Sequence, residues 1–408
     1  MKKLETYYNL PVKIKFCKEC VISNQRPSSI PEFKHTRNRD GANYIQFVDG
    51  KCEGCLQAKV KVNIDWEERE RELIELCDKH RKNNGQYDCV VPGSGGKDSA
   101  ITAHLLKYKY NMNPLTVTWP PIIYTDYGFQ NFNNWIDVGG FDNISYKRNG
   151  RVMKLLTKLS IENLLHPFQT FIIGQKNISP KIALKFNIPL IFYGENQAEY
   201  GNPIADNTSS LMSKSFYTFE NIDDLYLGGL SIKELKEKYN LQNKDLLPYL
   251  PPAPEEYKSG PEIEFHYLGY YEKWIPQEAY YYAVDNTGFK ARPFRSQGTY
   301  SKYSSIDDKI DDLHYYTTFI KYGIGRATYD ASQEIRNKHL MREEGKALVR
   351  RFDGEFPDRY FDEIMDYIDM KPERFHELCD EFRSPHLWND VNGEWKLRHN
   401  VNKTGTDD

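Results

Sequence analysis

Apolar and polar positions alternate regularly through the middle of the chain. From residue 87 to about residue 249, short apolar runs are followed by stretches whose apolar residues recur at helical spacing. The first run ends at Val91, and residues 114–119 and 188–193 form two later ones. Strands that alternate with helices are typical of a mainly parallel sheet covered on both faces, so the pattern predicts an α/β domain.

The pattern changes on either side of this domain. Residues 65 to about 82 are charged with apolar positions on one face, which predicts a connecting helix. Residues 248–261 are dense in proline and are typical of a linker or rigid crossing segment, and a mainly helical pattern follows them. The predicted divisions are an N-terminal segment (residues 1–60), a connecting helix (61–86), the α/β domain (87–255) and a mainly helical C-terminal domain (256–408).

Composition and charge limit the classes of function. The chain has 408 residues, of which 39% are hydrophobic and 14% aromatic, enough for real hydrophobic cores. Its formal charge of −3 gives no bulk attraction to nucleic acid or to an anionic membrane. There is no run of about 18 apolar residues and no signal-peptide stretch, so we expect a cytoplasmic protein. The seven cysteines fit reduced thiols and metal ligation better than a disulfide scaffold.

The first apolar run breaks into a glycine-rich turn, Ser94-Gly-Gly-Lys-Asp-Ser99, which leads into the next helix. Glycines let the backbone approach an anion closely, and the N–H groups at a helix N-terminus favour it. The turn is not a Walker A loop, because Val91 replaces the first glycine and Asp98 follows Lys97. A turn that binds nothing is the alternative, but a six-residue motif between strand and helix favours a phosphate site.

Each residue of this turn has a predicted role. Lys97 supplies a positive charge, and Asp98 is an acceptor suited to Mg²⁺. The predicted ligands of phosphate oxygens are Ser94, Gly95, Gly96 and Ser99.

Four cysteines in the N-terminal segment form two Cys-x-x-Cys pairs, Cys17 with Cys20 and Cys52 with Cys55. Each pair supplies two thiolates from one tight turn, so the two turns complete a tetrahedral Cys₄ site. We predict a structural zinc ion in a zinc-ribbon-like segment. A redox pair or an iron–sulfur ligand set is the alternative, although iron–sulfur sets usually show a run of three closely spaced cysteines.

Two strand ends carry further candidate residues. Trp119 ends the second strand, and ligands lie at the carboxyl ends of strands in a doubly wound sheet, so we place it near the nucleotide. By spacing alone, a core aromatic residue is the better interpretation of Trp119. Residues 194–201 form an acidic, amide-rich loop suited to a metal or a polar substrate, with Lys176 upstream, and a solvated turn is the alternative.

The glycine-rich turn resembles the PP-loop of the ATP-pyrophosphatases, which cut ATP between its α and β phosphates. Nearly the whole chain is similar to the N-acetyl sugar amidotransferases, a family that includes the pseudaminic and legionaminic acid modifying enzymes of bacterial surface glycan pathways. The resemblance is carried by both Cys-x-x-Cys pairs and by residues 94–99, 129–143, 174–177, 193–196 with Glu199, 298–302, 307–309, 323–326, 342–345 and 385–388.

The resemblance implies a PP-loop (adenine nucleotide alpha hydrolase-like) fold and a ligase-type enzyme that uses ATP and Mg²⁺. ATP would adenylylate the oxygen of an N-acetyl group, and ammonia would then displace AMP to leave an acetamidino group. The expected substrate is a pseudaminic or legionaminic type nonulosonic acid or an N-acetylhexosamine derivative, in flagellin glycan or LPS O-antigen biosynthesis. The C-terminal domain would then contact the substrate or a partner protein.

The resemblance also suggests roles for individual residues. Lys97 and Asp98 would act in the adenylylation step. The candidates for sugar binding or for orienting ammonia are Glu195, Asn196 and Glu199. The candidates for contacting the anionic sugar or phosphates are Lys176, Lys302, Lys309 and Arg326.

The source of ammonia is predicted to be a separate glutaminase subunit. The chain starts Met1-Lys2-Lys3, without the N-terminal cysteine of a class II glutaminase, and Cys379 does not stand in a glycine elbow. The nearest alternative function is a tRNA-thiolating PP-loop enzyme, but no cysteine lies between Ala100 and Leu378 and the charge gives no RNA-binding footprint. A zinc-ribbon scaffold with a degenerate loop is the non-enzymatic alternative, and intact Lys97 and Asp98 argue against it.

Overall fold

Five short strands form one parallel sheet at the centre of the protein. The computed structural model describes residues 4–27, 44–195, 209–211, 222 and 225–402. The strands are β1 (Phe47–Val48), β2 (Lys51–Cys52), β3 (Cys89–Pro92), β4 (Pro114–Thr118), β5 (Asp142–Ser145), β6 (Leu190–Tyr193), β7 (Tyr226–Leu227), β8 (Leu230–Ser231), β9 (Glu264–Tyr267), β10 (Trp388–Val391) and β11 (Glu394–Leu397).

Helices surround the sheet and make up most of the C-terminal part. They are α1 (Glu53–Val62), α2 (Trp66–His80), α3 (Lys97–His104), α4 (Asp126–Asp137), α5 (Gly150–Leu164), α6 (Gln169–Lys185), α7 (Ile232–Tyr239), α8 (Asn243–Leu246), α9 (Pro254–Ser259), α10 (Leu268–Tyr271), α11 (Pro276–Thr287), α12 (Asp311–Tyr322), α13 (Arg326–Arg336), α14 (Arg342–Phe352), α15 (Phe361–Ile368) and α16 (Pro372–Phe382). A π-helical turn, Leu105–Lys109, extends α3.

The order of strands across the sheet is β5-β4-β3-β6-β9, and every neighbouring pair is parallel. The chain moves outward from β3 through β4 to β5, and then returns to the other side of β3 to form β6 and β9. The order therefore reverses between β3 and β6, where a crevice opens at the carboxyl ends of the strands. The predicted parallel α/β sheet is confirmed.

Alternating residues of β3 point into two separate cores, which explains why the strand is apolar throughout. Val90 packs with buried residues of α5 and α6 on one face of the sheet. Cys89 and Val91 pack on the other face with buried residues of α2, α3 and α4. Helices thus cover both faces, as the sequence pattern predicts.

The sheet continues beyond residue 255, the predicted end of the α/β domain, because β9 pairs with β6 along its whole length. The helical C-terminal part is confirmed, and β10 and β11 add an antiparallel hairpin to it. Helices α12, α15 and α16 share a core with residues of α5 and of the N-terminal segment. In this core the fully buried Lys321 donates to the carbonyl oxygen of Leu164 (2.7 Å) and lies over the ring of Tyr8.

Among the described residues, no helix is long and apolar enough to cross a lipid bilayer.

The C-terminal part is joined to the sheet by a short backbone pairing at the end of β4. The N–H of Thr125 donates to the carbonyl of Asp307 (3.0 Å), and the N–H of Lys309 donates to the carbonyl of Ile123 (2.9 Å). The buried carboxylate of Asp308 accepts the N–H groups of Ile122 and Ile123. Burial raises the pKa of Asp308 to about 7, while these hydrogen bonds lower it. This pairing places Asp307 beside the start of α4.

Gly128 makes this close approach possible, because a Cβ atom there would lie 2.3 Å from the Cα of Asp307. We predict that Gly128→Ala lowers the free energy of unfolding by about 1–3 kcal/mol, the usual cost of overpacking. Urea denaturation measures this change. The matched control is Gly150→Ala in α5, where an added methyl meets no atom within 4 Å, and which should leave stability unchanged or raise it. Equal effects of the two substitutions would contradict the interpretation.

Candidate active site

The glycine-rich turn forms a loop between β3 and α3. Gly95 has a φ of +83°, and a Cβ atom there would lie 2.7 Å from the carbonyl oxygen of Asn131 and from the Cα of Phe132. Glycine is therefore required by the backbone conformation and by the contact with α4. The loop ends at Gly96, which is the N-cap of α3.

The start of α3 presents its backbone N–H groups and two charged side chains to the crevice. The first N–H groups of a helix have no partner within the helix, so they are donors for an anion. Lys97 extends beside Asp98, with its Nζ 2.6 Å from each carboxylate oxygen. The Oγ of Ser99 donates to the carbonyl of Gly96 (3.0 Å) and so supports the turn. The N–H donors and the amine of Lys97 suit phosphate, and the carboxylate of Asp98, which pairs with Lys97 in this structure, is a ligand type that Mg²⁺ prefers.

A cavity of about 300 Å³ opens in front of this loop. Glu195 lines it from the end of β6, so the loops after β3 and β6 both reach the point where the strand order reverses. The remaining walls come from α4, from α11 and from the C-terminal part. The lining residues are Ser94, Gly96, Lys97, Asp98, Gly128, Asn131, Glu195, Pro276, Phe289, Tyr303, Ser304, Ser305, Ile306, Asp307, Arg326 and Gln333.

Arg326 is held at the N-terminus of α13 by neighbours on both sides. Its Nε donates to Asp330 (2.8 Å) and its NH1 donates to the hydroxyl oxygen of Tyr315 (3.1 Å). Asp353 stabilises the start of the same helix, because its carboxylate accepts the N–H groups of Gly325 (3.0 Å) and Thr328 (3.2 Å). Burial raises the pKa of Asp353 to about 6, so at neutral pH the carboxylate is mainly ionised and can stabilise the helix N-terminus.

Trp119 does not line this cavity, although the sequence analysis places it near the nucleotide. It is 2% exposed, stacks on Tyr146 and packs edge-on against Tyr249. A Cβ atom at Gly174 would lie 2.2 Å from its ring, which shows how tightly α6 covers it. The core interpretation is the one that the structure supports, because the strand turns this side chain into the core between the sheet and α6.

The other predicted substrate residues divide into two groups. Glu195 and Arg326 line the cavity, whereas Lys176, Lys302 and Lys309 are not among its lining residues. Lys176 lies on α6, where burial lowers its pKa, and Lys302 is exposed. Lys309 forms an ion pair with Glu363 (2.7 Å). Asn196 and Glu199 lie outside the described residues.

Sequence reasoning missed several residues of the cavity wall. Asn131, Tyr303, Asp307 and Gln333 line the cavity but have no role in the sequence analysis, although Asn131 and Asp307 lie in segments that carry the family resemblance. Burial raises the pKa of Tyr303, which keeps its hydroxyl protonated and able to donate. Gly128 and Gly325 are the sequence features that could have indicated this wall, because each marks a place where another segment comes close. A glycine does not show which segment that is.

The four cysteines of the two Cys-x-x-Cys pairs come together in a buried cluster. All four Sγ atoms lie within 4.8 Å of one another, with Cys17 and Cys55 3.7 Å apart and Cys20 and Cys52 3.6 Å apart. Tetrahedral zinc with Zn–S bonds of about 2.3 Å requires sulfur atoms about 3.8 Å apart, so the cluster fits the ion.

One family model matches part of the C-terminal half of the chain. Residues 297–402 match a family model described as LPS biosynthesis protein WbpG-like, C-terminal domain. Tyr303, Asp307, Arg326 and Gln333 belong to the matched residues. The WbpG-like part therefore supplies one wall of the cavity whose other wall is the glycine-rich loop.

A curated protein matches a short part of the chain. The uncharacterized protein MJ1599 of Methanocaldococcus jannaschii is 38% identical over 66 residues, which are 16% of this chain and 24% of that protein. The chain thus spans about a quarter of the length of this relative.

Two solved structures share weak similarity with the chain. NMN synthetase from Francisella tularensis has a TM-score of 0.26 and 16% identity, over 34% of this chain and 58% of that chain. The NH3-dependent NAD synthetase from Campylobacter jejuni has a TM-score of 0.27 and 15% identity, over 45% of this chain and 77% of that chain. The fold described above rests on the strand order and not on these scores.

The loop geometry predicts different effects for its two adjacent glycines. Gly95→Ala should abolish or strongly weaken ATP binding, because the methyl group strains the left-handed backbone and collides with α4 at a cost of about 1–3 kcal/mol. Gly96→Ala should keep the loop conformation, since its nearest neighbour to an added methyl is 3.9 Å away. Calorimetric titration with ATP and Mg²⁺ compares the two. Equal affinity in Gly95→Ala and the unsubstituted protein would contradict the loop assignment.

The cysteine cluster predicts one tetrahedral zinc ion per chain. Elemental analysis should find about one zinc per chain, and X-ray absorption should give Zn–S distances of about 2.3 Å. Cys52→Ser should lower the metal content strongly, whereas Cys379→Ala, at a buried cysteine in α16, should not. Iron with inorganic sulfide, or a cluster that exchanges between thiols and disulfides without metal, would contradict the zinc assignment.

Proposed function

We propose that this protein is an ATP-dependent N-acetyl sugar amidotransferase of bacterial surface glycan biosynthesis. In the proposed reaction, the acetamido group of a sugar becomes an acetamidino group through an adenylylated imidate. The sugar is a nonulosonic acid of the pseudaminic or legionaminic type or an N-acetylhexosamine derivative. The observation that carries the proposal is the shared cavity, where an anion-binding loop faces residues of a segment similar to an LPS biosynthesis domain.

The loop side of the cavity suits the pyrophosphate end of ATP. The N–H groups at the start of α3 and the amine of Lys97 stabilise negative charge that grows on the pyrophosphate as it departs. Mg²⁺, with Asp98 as its candidate ligand, would neutralise phosphate charge when bound. Because Lys97 and Asp98 already contact each other, the amine is held at the cavity and ready to contact a phosphate oxygen.

The opposite side of the cavity suits a hydroxylated, acidic sugar. Tyr303, Ser304 and Gln333 offer hydrogen bonds to hydroxyl groups, and Arg326 offers a charged donor to a carboxylate. Asp307 and Glu195 offer acceptors for sugar hydroxyls or for ammonia. Glu195 belongs to the loop whose residues the family resemblance suggests for sugar binding or for orienting ammonia.

The proposed bond changes balance without any further reactant. The acetamido oxygen attacks the α-phosphorus of ATP, and the bond to pyrophosphate breaks. Ammonia adds to the imidate carbon, the bond from that carbon to the oxygen breaks, and AMP leaves with the oxygen. The product is an amidine that is protonated at neutral pH.

We propose that the ammonia comes from a separate glutaminase subunit. The three cysteines outside the cluster, Cys77, Cys89 and Cys379, are all at most 1% exposed. Burial raises the pKa of Cys77 and of Cys379 to about 12 and raises that of Cys89 as well. None of the three can therefore serve as the exposed thiolate that glutamine hydrolysis requires, and none can relay sulfur to a nucleic acid.

The direct test uses a substrate whose acetamido oxygen is labelled with ¹⁸O. Candidate N-acetylated nonulosonic acids and hexosamines are incubated with the protein, ATP, Mg²⁺ and ammonium, and products are analysed by mass spectrometry. We expect a cationic product lighter than the unlabelled substrate by about one mass unit, since NH replaces oxygen. We also expect the label in AMP, which only transfer of the acetamido oxygen to the α-phosphate explains.

Matched variants connect this activity to the cavity. Lys97→Met and Arg326→Met should lower turnover by about 10²- to 10³-fold, the usual loss for a group that stabilises developing charge or positions substrate. Arg374→Met removes an exposed arginine on α16 and should change nothing. AMP without ¹⁸O would refute the adenylylated imidate. AMP formation that requires tRNA and a sulfur donor would refute the sugar substrate and support a thiolating enzyme.

A further inference from the structure

The N-terminal cysteine cluster is in contact with the C-terminal part of the chain through one arginine. Arg342 is the first residue of α14, and its guanidinium reaches two backbone carbonyls of the first Cys-x-x-Cys turn. Its NH2 donates to the carbonyl of Cys17 (3.0 Å), and its Nε donates to the carbonyl of Cys20 (3.1 Å). The side chain is 26% exposed, so these hydrogen bonds are partly shielded from water.

These two carbonyls belong to the turn that sets the positions of two sulfur atoms. Inside the turn, the N–H groups of Glu19 (3.4 Å) and Cys20 (3.5 Å) point at the Sγ of Cys17. The N–H of Cys52 points at the same sulfur (3.4 Å). Arg342 holds the carbonyls of the first and the last residue of this turn, so it fixes the two backbone positions that carry the Sγ atoms of Cys17 and Cys20.

Charge supports the same arrangement. Four thiolates around one Zn²⁺ ion carry a net charge of −2, which is costly in a buried site. Arg342 places a positive charge beside the turn, and its planar fork suits two acceptors at once. A lysine could supply the charge but could not hold both carbonyls in the same geometry.

We propose that Arg342 is a positioning residue for the metal site, and that this residue of the C-terminal part determines how tightly the N-terminal cysteines retain zinc. The guanidinium acts through the carbonyls of Cys17 and Cys20 and does not touch the metal. This inference is independent of the proposed reaction, because it concerns metal retention and not turnover.

The proposal gives the metal site a structural consequence at the cavity. Helix α13 lies between the cysteine segment and the candidate active site. Gly54 of α1 lies against Arg336 of α13, since a Cβ atom at Gly54 would be 3.1 Å from the guanidinium. Cys52 lines a small cavity together with Arg326 and Gln333. A cysteine segment held by metal and by Arg342 thus supports the wall that carries Arg326.

The test measures zinc release to a colorimetric chelator from the full-length, zinc-loaded protein. Arg342→Met should release zinc about 10- to 100-fold faster, the usual effect of losing a group that orients a metal ligand. Arg342→Lys should fall between this variant and the unsubstituted protein. Arg351→Met removes an exposed arginine of the same helix and should release zinc at the unsubstituted rate.

Cobalt substitution separates metal retention from general unfolding. The visible absorption bands of tetrahedral Co²⁺ report four thiolate ligands, so loaded Arg342→Met should show the same bands as the unsubstituted protein while losing the ion faster. Equal release rates for Arg342→Met and Arg351→Met would overturn the proposal. Release from Arg342→Lys at the unsubstituted rate would overturn the role of the two-carbonyl fork. If Arg342→Met does not fold, the rate for Arg342→Lys decides by itself.

Discussion

The backbone pairing between the loop after β4 and residues 306–309 is the contact on which the candidate site depends. It joins segments about 186 positions apart in the chain through the backbone hydrogen bonds of Lys309 with Ile123 and of Thr125 with Asp307, and the carboxylate of Asp308 accepts the N–H of Ile122 as well. Without it, the glycine-rich loop would open on solvent, because the opposite wall of the cavity belongs to the C-terminal part. Buried backbone hydrogen bonds suit this task because they fix both the position and the direction of a segment.

Helix α13 carries this constraint further into the molecule. Its first turn is fixed by the carboxylate of Asp353 and by the missing side chain at Gly325, where a Cβ would lie 2.6 Å from that carboxylate. The helix offers Arg326 and Gln333 both to this cavity and to the small cavity beside Cys52, and its Tyr329 and Ile335 pack against the cysteine cluster. The cysteine cluster, the C-terminal helices and the glycine-rich loop are therefore connected by direct packing and not by sequence proximity.

The sequence predicts those parts of the structure that depend on short-range patterns of residues. The apolar runs of β3, β4 and β6 alternate with helical stretches, which predicts the parallel sheet. The spacing of the four cysteines of the two Cys-x-x-Cys pairs is typical of a metal-ligand set, which predicts the cluster. Trp119 shows the limit, since its position at a strand end does not reveal which way its ring points. Asp307 has no assigned role in the sequence analysis for a different reason: its place at the cavity follows from the hydrogen bond that its neighbour Asp308 accepts from Ile122, 186 positions earlier in the chain.

The central claim is that one cavity, made by the glycine-rich loop and by the WbpG-like part, holds the nucleotide and faces the sugar. Hydrogen exchange followed by mass spectrometry, with and without a non-hydrolysable ATP analogue and Mg²⁺, tests it most directly. We expect slower exchange both in residues 94–99 and in residues 303–307, because members of these two distant segments of the chain line the same cavity. Slower exchange in the loop with no change in residues 303–307 would contradict it.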